Sequence, residues 1–349
     1  MNNAMKIFGS YLDKLKYFIY KGIYWKISNF STNSSWLALT YANDKKTDGV
    51  GSQLHRIYGI YAASRLLHLP YIHSPLLRVD YQGLSALEEN NSDSEFASRF
   101  NKLFSIPSDL DLPKTYITYE AENLNLKIFS SLKKEAESNK IFTLLRIINP
   151  YGVIDIYPEA YQFVEQVSPF RIYQKKSTTI CIGIHVRRGD LFAAAPDRLL
   201  PNSYYLSLVR TISRIFDELR LNYTFELHTE VPTNSFTVTK DHHGVFDLAV
   251  ENMVISPELS KLEDFDTIPR LEKIINADPI ESIRRMATSD VLIMSRSSFS
   301  YLGAILNFKG IIIYHDFWHP MLNDWIRADS SGNFSKKKFL KRFEELSKV

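Results

Sequence analysis

The sequence predicts an α/β protein of two domains, each a parallel sheet wrapped by helices, facing a ligand cleft. Three observations carry this expectation. The stretch Ser177–Asp190, STTICIGIHVRRGD, sets Ile180, Ile182, Ile184 and Val186 at period two and ends in charged residues. That is the pattern of a buried parallel strand running into a ligand site. Residues 36–67 read as strand, glycine loop and helix, which turns backbone amides and a helix N-terminus toward a ligand. From 178 to 315 strand and helix patterns alternate, as in a sheet with helices on both faces.

The totals narrow the class. At 349 residues the chain suits two domains. A net charge of +3, without basic residues interleaved with aromatics beyond the N-terminus, argues against a nucleic-acid partner. Cys181 is the one cysteine; it excludes an internal disulfide framework and a cysteine zinc site, and fits a reducing compartment. No apolar run is long enough to span a bilayer and no secretory signal is legible at the N-terminus. The expectation is a cytoplasmic protein.

Residues 1–30 form a basic amphipathic segment. Phe8, Tyr11, Leu12, Leu15, Phe18 and Ile19 recur at helical spacing among Lys6, Lys14, Lys16, Lys21 and Lys26. Two readings stay open: a helix lying on an anionic membrane surface, peripheral on its inner face, or a helix packed on its own domain. Residues 31–165 and 166–330 are the two expected domains, divided near Pro158–Pro169, and 331–349 a C-terminal helix.

In order, Trp36–Tyr41 reads as the first strand, Leu54–Leu67 as a helix and Pro70–His73 as a second strand. Between the first two lies Asp48-Gly49-Val50-Gly51-Ser52-Gln53. It lacks the third glycine and the lysine that would make it a dinucleotide or P-loop motif. Residues 120–149 read as helical. Asp109-Leu-Asp111 and Asp264-Phe-Asp266 spell D-x-D, a metal-diphosphate signature, but neither follows an apolar strand. Both read as solvated loops, and no metal site is expected.

In the second half, 178–186 is a strand, Leu191–Pro201 a loop, 203–220 a helix and Tyr223–His228 a strand. Residues 247–255 suggest another strand and 279–288 a helix. Asp290–Met294, Phe299–Asn307 and Gly310–His315 read as strand, helix and strand, and Lys336–Lys348 as a basic helix returning to the first domain.

The chemistry gathers at strand ends. His185, Arg187, Arg188 and Asp190 follow the buried strand, with Arg188 leaving on the side opposite His185 and Arg187. An arginine fork matches two phosphate oxygens and a neighbouring Asp can hold it in place. The bland alternative is a solvated loop, and the embedded RGD is read as chance. Ser297, Ser298 and Ser300 offer hydroxyls and amides at a helix start, although Ser298 as a plain N-cap explains part of the pattern. His228 and Thr229 end another strand; they border a nucleotide or are simply structural.

His185-Val-Arg-Arg-Gly-Asp190 resembles the H-x-R-x-x-D element of the fucosyltransferase superfamily, which holds α1,2-, α1,6- and protein O-fucosyltransferases. Ser297-Ser-Phe-Ser300, after the strand Asp290–Met294, resembles its second donor-site element and stands nearest the α1,2 branch. Gly49-Val-Gly-Ser-Gln53 is similar to its first glycine loop.

The resemblance implies two Rossmann-like domains in the GT-B arrangement, acceptor side first and donor side second. It implies an inverting, metal-independent transferase without a cofactor, moving fucose from GDP-fucose to a glycan or lipid-linked glycan of a surface polysaccharide. Arg187 becomes the main diphosphate ligand. His185, Arg188, Asp190, His228, Thr229, Ser297, Ser298, Phe299 and Ser300 line the donor, and Gly49, Gly51, Ser52 and Gln53 border the cleft. The guanine-binding carboxylate falls nearest Glu281 and Ser282. The base proposed for the α1,6 branch falls on Ala195, so Asp197 two places on and Asp48 beside the glycine loop are the candidates. Another nucleotide-sugar donor, or a noncatalytic glycan- or nucleotide-binding protein, are the rivals.

Overall fold

The computed structural model describes residues 36–80, 93–171, 178–237 and 253–346. The expectation for residues 1–30 lies outside them. By contact the described residues divide into two units: 36–42, 56–74 and 106–163 form the first, and 43–55, 75–80, 93–105, 164–171, 178–237 and 253–346 the second. Among the described residues no helix is long and apolar enough to cross a membrane.

The first unit holds a three-stranded parallel sheet. Strand β1 (Leu37–Tyr41) is buried throughout, β2 (Ile117–Asn123) is exposed along almost its whole length, and β3 (Thr143–Asn149) lies between them. The helix Leu126–Asn139 connects β2 to β3. The expected single helical stretch over 120–149 is therefore strand, helix and strand. An edge strand with neither face buried has no apolar alternation to betray it.

Pro70–His73 is likewise not a full strand. Only Tyr71 bridges to Leu39, through Leu39 N–H to Pro70 O and Ile72 N–H to Leu39 O, both at 2.9 Å. The Tyr71 N–H and C=O turn instead to Asp109, which takes the first on its carboxylate at 2.6 Å and donates its own N–H to the second.

The second unit carries a six-stranded sheet, parallel throughout. Its strands are β4 (Ile180–Val186), β5 (Tyr223–Thr229), β8 (Leu271–Ile275), β9 (Val291–Ile293), β10 (Ile311–His315) and β11 (Ile326–Ala328), in the order β11-β10-β9-β4-β5-β8. The two-residue strands β6 (Phe236–Thr237) and β7 (Val254–Ile255) pair separately; the rest of the expected 247–255 strand lies outside the described residues. The expectation missed β8, a half-exposed edge strand, and the three-residue β11.

The core explains the order. Ile182, Ile184 and Val186 of β4 pack with Leu208, Ile212, Ile215 and Phe216. The latter form one stripe of the helix Asn202–Glu218, spaced three and four apart so that one face is apolar. Cys181, on the other face of β4, is only half-buried; its N–H reaches the Asp290 carboxylate at 2.6 Å.

The C-terminal helix Lys336–Leu346 does not return to the first unit. Its Phe339 is buried in the second unit's core, and Phe339 and Phe343 lie 5.8 and 5.4 Å from the Phe216 ring. Its apolar stripe outweighs its basic face in deciding where it docks.

Candidate active site

From β4, successive strands proceed to one side through β5 and β8, then resume on the other through β9, β10 and β11. The winding therefore reverses between β4 and β9, and in open α/β sheets ligands bind beyond the strand ends at that reversal. His185 and Arg187 stand at the end of β4, and Ser295 through Ser300 follow β9. Parallel pairing of Ile184 with Ile293 brings the two ends side by side.

A buried hydrogen bond joins them, His185 Nδ1 to Ser295 Oγ at 2.6 Å. The His185 ring lies 5.7 Å from that of Phe299. Burial, reinforced by the charges of Arg187, His228 and Arg188, holds the His185 imidazole well below its ordinary pKa. It stays neutral, with one nitrogen donating and one accepting.

Arg187 and Arg188 part at once. Arg187 reaches the Asp190 carboxylate and, at 3.2 Å, that of Glu230 beyond β5. Burial pushes the Asp190 carboxyl up to about 6, with Arg187 pulling it back and Glu230 adding to the rise. Arg188 turns to the Asn202 amide oxygen and the Arg187 carbonyl, with its guanidinium 5.8 Å from the Tyr205 ring. It braces the loop against the helix Asn202–Glu218, while Arg187 remains at the strand end.

The serines of the second block divide their work. The N-cap of the helix Ser298–Ile305 is Ser297, not Ser298: Ser297 Oγ accepts the Phe299 N–H at 3.2 Å. Ser297 is extended and Ser298 already helical, so the cap falls one residue earlier than expected. Ser300 is buried and hydrogen bonds the carbonyls of Ser295 and Ser297 at 3.3 and 3.2 Å. Ser298, half-buried, pairs with His319 Nε2 at 2.8 Å.

The glycine loop meets the same helix start. A Cβ placed at Gly51 would lie 2.5 Å from Phe299 Cα and 2.7 Å from its backbone nitrogen, so no larger residue fits without displacing backbone. Gly49 O accepts the N–H groups of Ser52 and Gln53 at 3.0 and 3.2 Å. The Gln53 amide ties the turn to the carbonyls of Asp48 and Arg78, at 2.8 and 3.0 Å. Asp48 is half-buried beside this turn.

The remaining expected residues stand as follows. His228 is buried opposite His185 in the β4–β5 register, with Nε2 3.5 Å from Glu226. Thr229 spends its hydroxyl on Val186 O at 2.7 Å. Glu281 is gripped by Arg284 and Arg285, and the Arg284 hydrogen bond leads in pulling its carboxyl down to about 2. Ser282, next along that helix, is buried. Asp197 is exposed on the turn Pro196–Arg198, and its carbonyl, not its carboxylate, takes Arg296 Nη1 at 3.1 Å.

Of the D-x-D residues, Asp109 pairs with Arg65, Asp264 takes the Asn202 amide at 2.9 Å and Asp266 pairs with Lys273. A cavity of about 380 Å³ opens in the second unit near Asp290, Asn307 and Lys309, at the opposite strand ends. None of the residues above lines it except at the start of β9.

Ser295, Glu230, His55 and His319 escaped the sequence reading. Glu230 carried a signal, an acid immediately beyond a strand. His319 sits in the aromatic run Phe317-Trp-His-Pro320 after β10, where a packing role is the commoner use.

No family model matches the chain, and no curated protein matches it. The chain is similar to several solved structures. E. coli heptosyltransferase WaaC with ADP shares 11% identity at a TM-score of 0.40, over 88% of this chain and 99% of that one. POFUT1 in complex with GDP shares 8% at 0.36, over 79% and 95%. E. coli ADP-heptose lps heptosyltransferase II shares 12% at 0.34, over 89% and 98%.

Proposed function

We propose that this chain is a nucleotide-sugar glycosyltransferase that moves fucose from GDP-fucose to a glycan, with inversion and without a divalent metal. The observation that carries it is the convergence of three distant segments at one strand reversal. The glycine loop packs on Phe299, and Ser295 and Phe299 pack on His185, one residue short of the arginine pair.

The leaving diphosphate gathers negative charge as the bond to the sugar breaks, and it needs fixed donors. Arg187 supplies a fork already oriented by Asp190 and Glu230. The start of the helix Ser298–Ile305 supplies its amides and the positive end of its dipole. The acceptor hydroxyl oxygen attacks the anomeric carbon as the carbon–oxygen bond to the diphosphate breaks, and its proton passes to a carboxylate. Asp48 takes this role, because its loop touches the donor helix while the Asp197 carboxylate faces solvent. Three of the four D-x-D aspartates, Asp109, Asp264 and Asp266, are committed to side-chain partners, which supports a metal-free reaction.

The test is product formation from GDP-fucose, with other GDP-, ADP- and UDP-sugars as alternatives, in wild type, Arg187→Lys and Arg187→Ala. Removing one partner of a desolvated charge pair costs roughly 3–5 kcal/mol, so both variants should lose about two to three powers of ten in turnover. Arg188→Lys should lose less. Near-normal nucleotide binding and turnover in Arg187→Ala would refute the assignment. GDP binding with neither transfer nor donor hydrolysis would point to a noncatalytic binder.

A further inference from the structure

Of the four serines after β9, Ser295, Ser297 and Ser300 are buried. Ser297 caps the helix, and Ser300 is buried against two carbonyls. Ser298 alone of the four is half-buried, and its hydrogen-bond partner is an imidazole, His319 Nε2 at 2.8 Å. That imidazole is fixed in place. Its ring centroid lies 4.2 Å from that of His55 and 4.4 Å from that of Tyr301. The backbone beside it is pinned as well: Tyr314 OH donates to His319 O at 2.6 Å and Tyr301 OH to Pro320 O at 2.8 Å. A ring held this way cannot swing off its serine without breaking the stack.

We infer that His319 is a positioning residue that donates its Nε2–H to Ser298 Oγ and so turns the Ser298 hydroxyl proton toward a bound diphosphate. The inference rests on the nucleotide-sugar reading above. A hydroxyl has one proton. If Ser298 gave that proton to the imidazole, an anion at the helix start would meet only oxygen lone pairs. If the imidazole donates instead, the hydroxyl proton is left for the anion, and the bound anion favours that arrangement. His319 then acts through Ser298 without touching the ligand.

Titration calorimetry with GDP, ADP and inorganic pyrophosphate on a double-mutant cycle reads this directly. Ser298→Ala should weaken GDP binding about tenfold, the size of one hydrogen bond to a charged group. His319→Phe should weaken it as much, and the double variant no further, because the second change removes nothing the first left in place. His319→Gln, which keeps a donor on a side chain of similar reach, should restore most of the affinity. Thermal melts report folding alongside.

A double variant about a hundredfold weaker, or a His319→Gln no better than His319→Phe, overturns the inference while leaving the nucleotide reading intact. Unchanged GDP affinity in Ser298→Ala overturns it however the His319 variants fold. A wild-type protein that binds none of the three probes overturns both.

Discussion

Both sheets are parallel and helix-linked, yet their carboxyl ends differ in kind. In the first unit, β3 ends in Asn149, which accepts from Arg56 at 3.0 Å and donates to Glu122 at 2.8 Å, a structural tie between elements. Beyond β1, the Ala42 N–H bonds Ile147 O. In the second unit, the Arg187 guanidinium faces two carboxylates, one of them pushed up to about 6 by burial. A buried carboxyl held above its ordinary pKa is an electrostatic burden, and such burdens concentrate where chemistry is done. The difference separates a sheet whose ends are tied by structural hydrogen bonds from one whose end carries an electrostatic burden.

Asp190 offers the largest effect on that contrast. Its folded value near 6 stands above the ordinary 3.8, so between those values the native state holds more protons than the unfolded chain. Stability must then fall as pH rises through that window. Two pH units at about 1.4 kcal/mol each give an effect of roughly 3 kcal/mol. Asp190→Asn lacks this slope and should gain on wild type by up to that amount between about pH 4 and pH 6.5, while binding GDP more weakly because Arg187 loses an orienting partner. Urea unfolding across pH is the measurement; parallel curves for the two proteins would contradict the electrostatic account.

Two glycines on the one helix Val50–Leu66 separate the units more finely. A Cβ at Gly51 meets the Phe299 backbone in the second unit, and a Cβ at Gly59 would lie 2.6 Å from Pro150 Cγ in the first. Each alanine overpacks by about 1–3 kcal/mol, against a gain near 1 kcal/mol from helix propensity. Both variants should melt lower, but only Gly51→Ala should also lose GDP affinity. Equal binding in the two would mean that the contact with Phe299 does not shape the site.

The smallest effect is expected on the exposed edge. Glu120→Gln on β2 breaks an ion pair with Arg146 at 3.0 Å on the surface of the first unit. It should change stability by less than about 1 kcal/mol and leave GDP binding untouched. A calorimetric change in nucleotide affinity there would blur the distinction between the sheets.

What was legible in the sequence follows from where the physics is local. β4, β9 and β10 are buried along most or all of their length and show continuous apolar runs, and the stripe of Asn202–Glu218 repeats at helical spacing. Those patterns record burial directly, so these elements and the charged cluster after β4 could be read from the chain. Half- or fully exposed strands such as β8 and β2 leave no such record, and β3, though mostly buried, has an apolar run too short to tell strand from helix.

Only the tertiary structure decided which chemical groups meet. Ser295 reaches His185 across 110 residues because β4 and β9 are neighbours in register, and Glu230 reaches Arg187 because β5 flanks β4 on the other side. His319 finds Ser298 through the aromatic stack beyond β10. Such pairings depend on strand order and on the folding back of distant segments, which no residue's own neighbours in sequence encode.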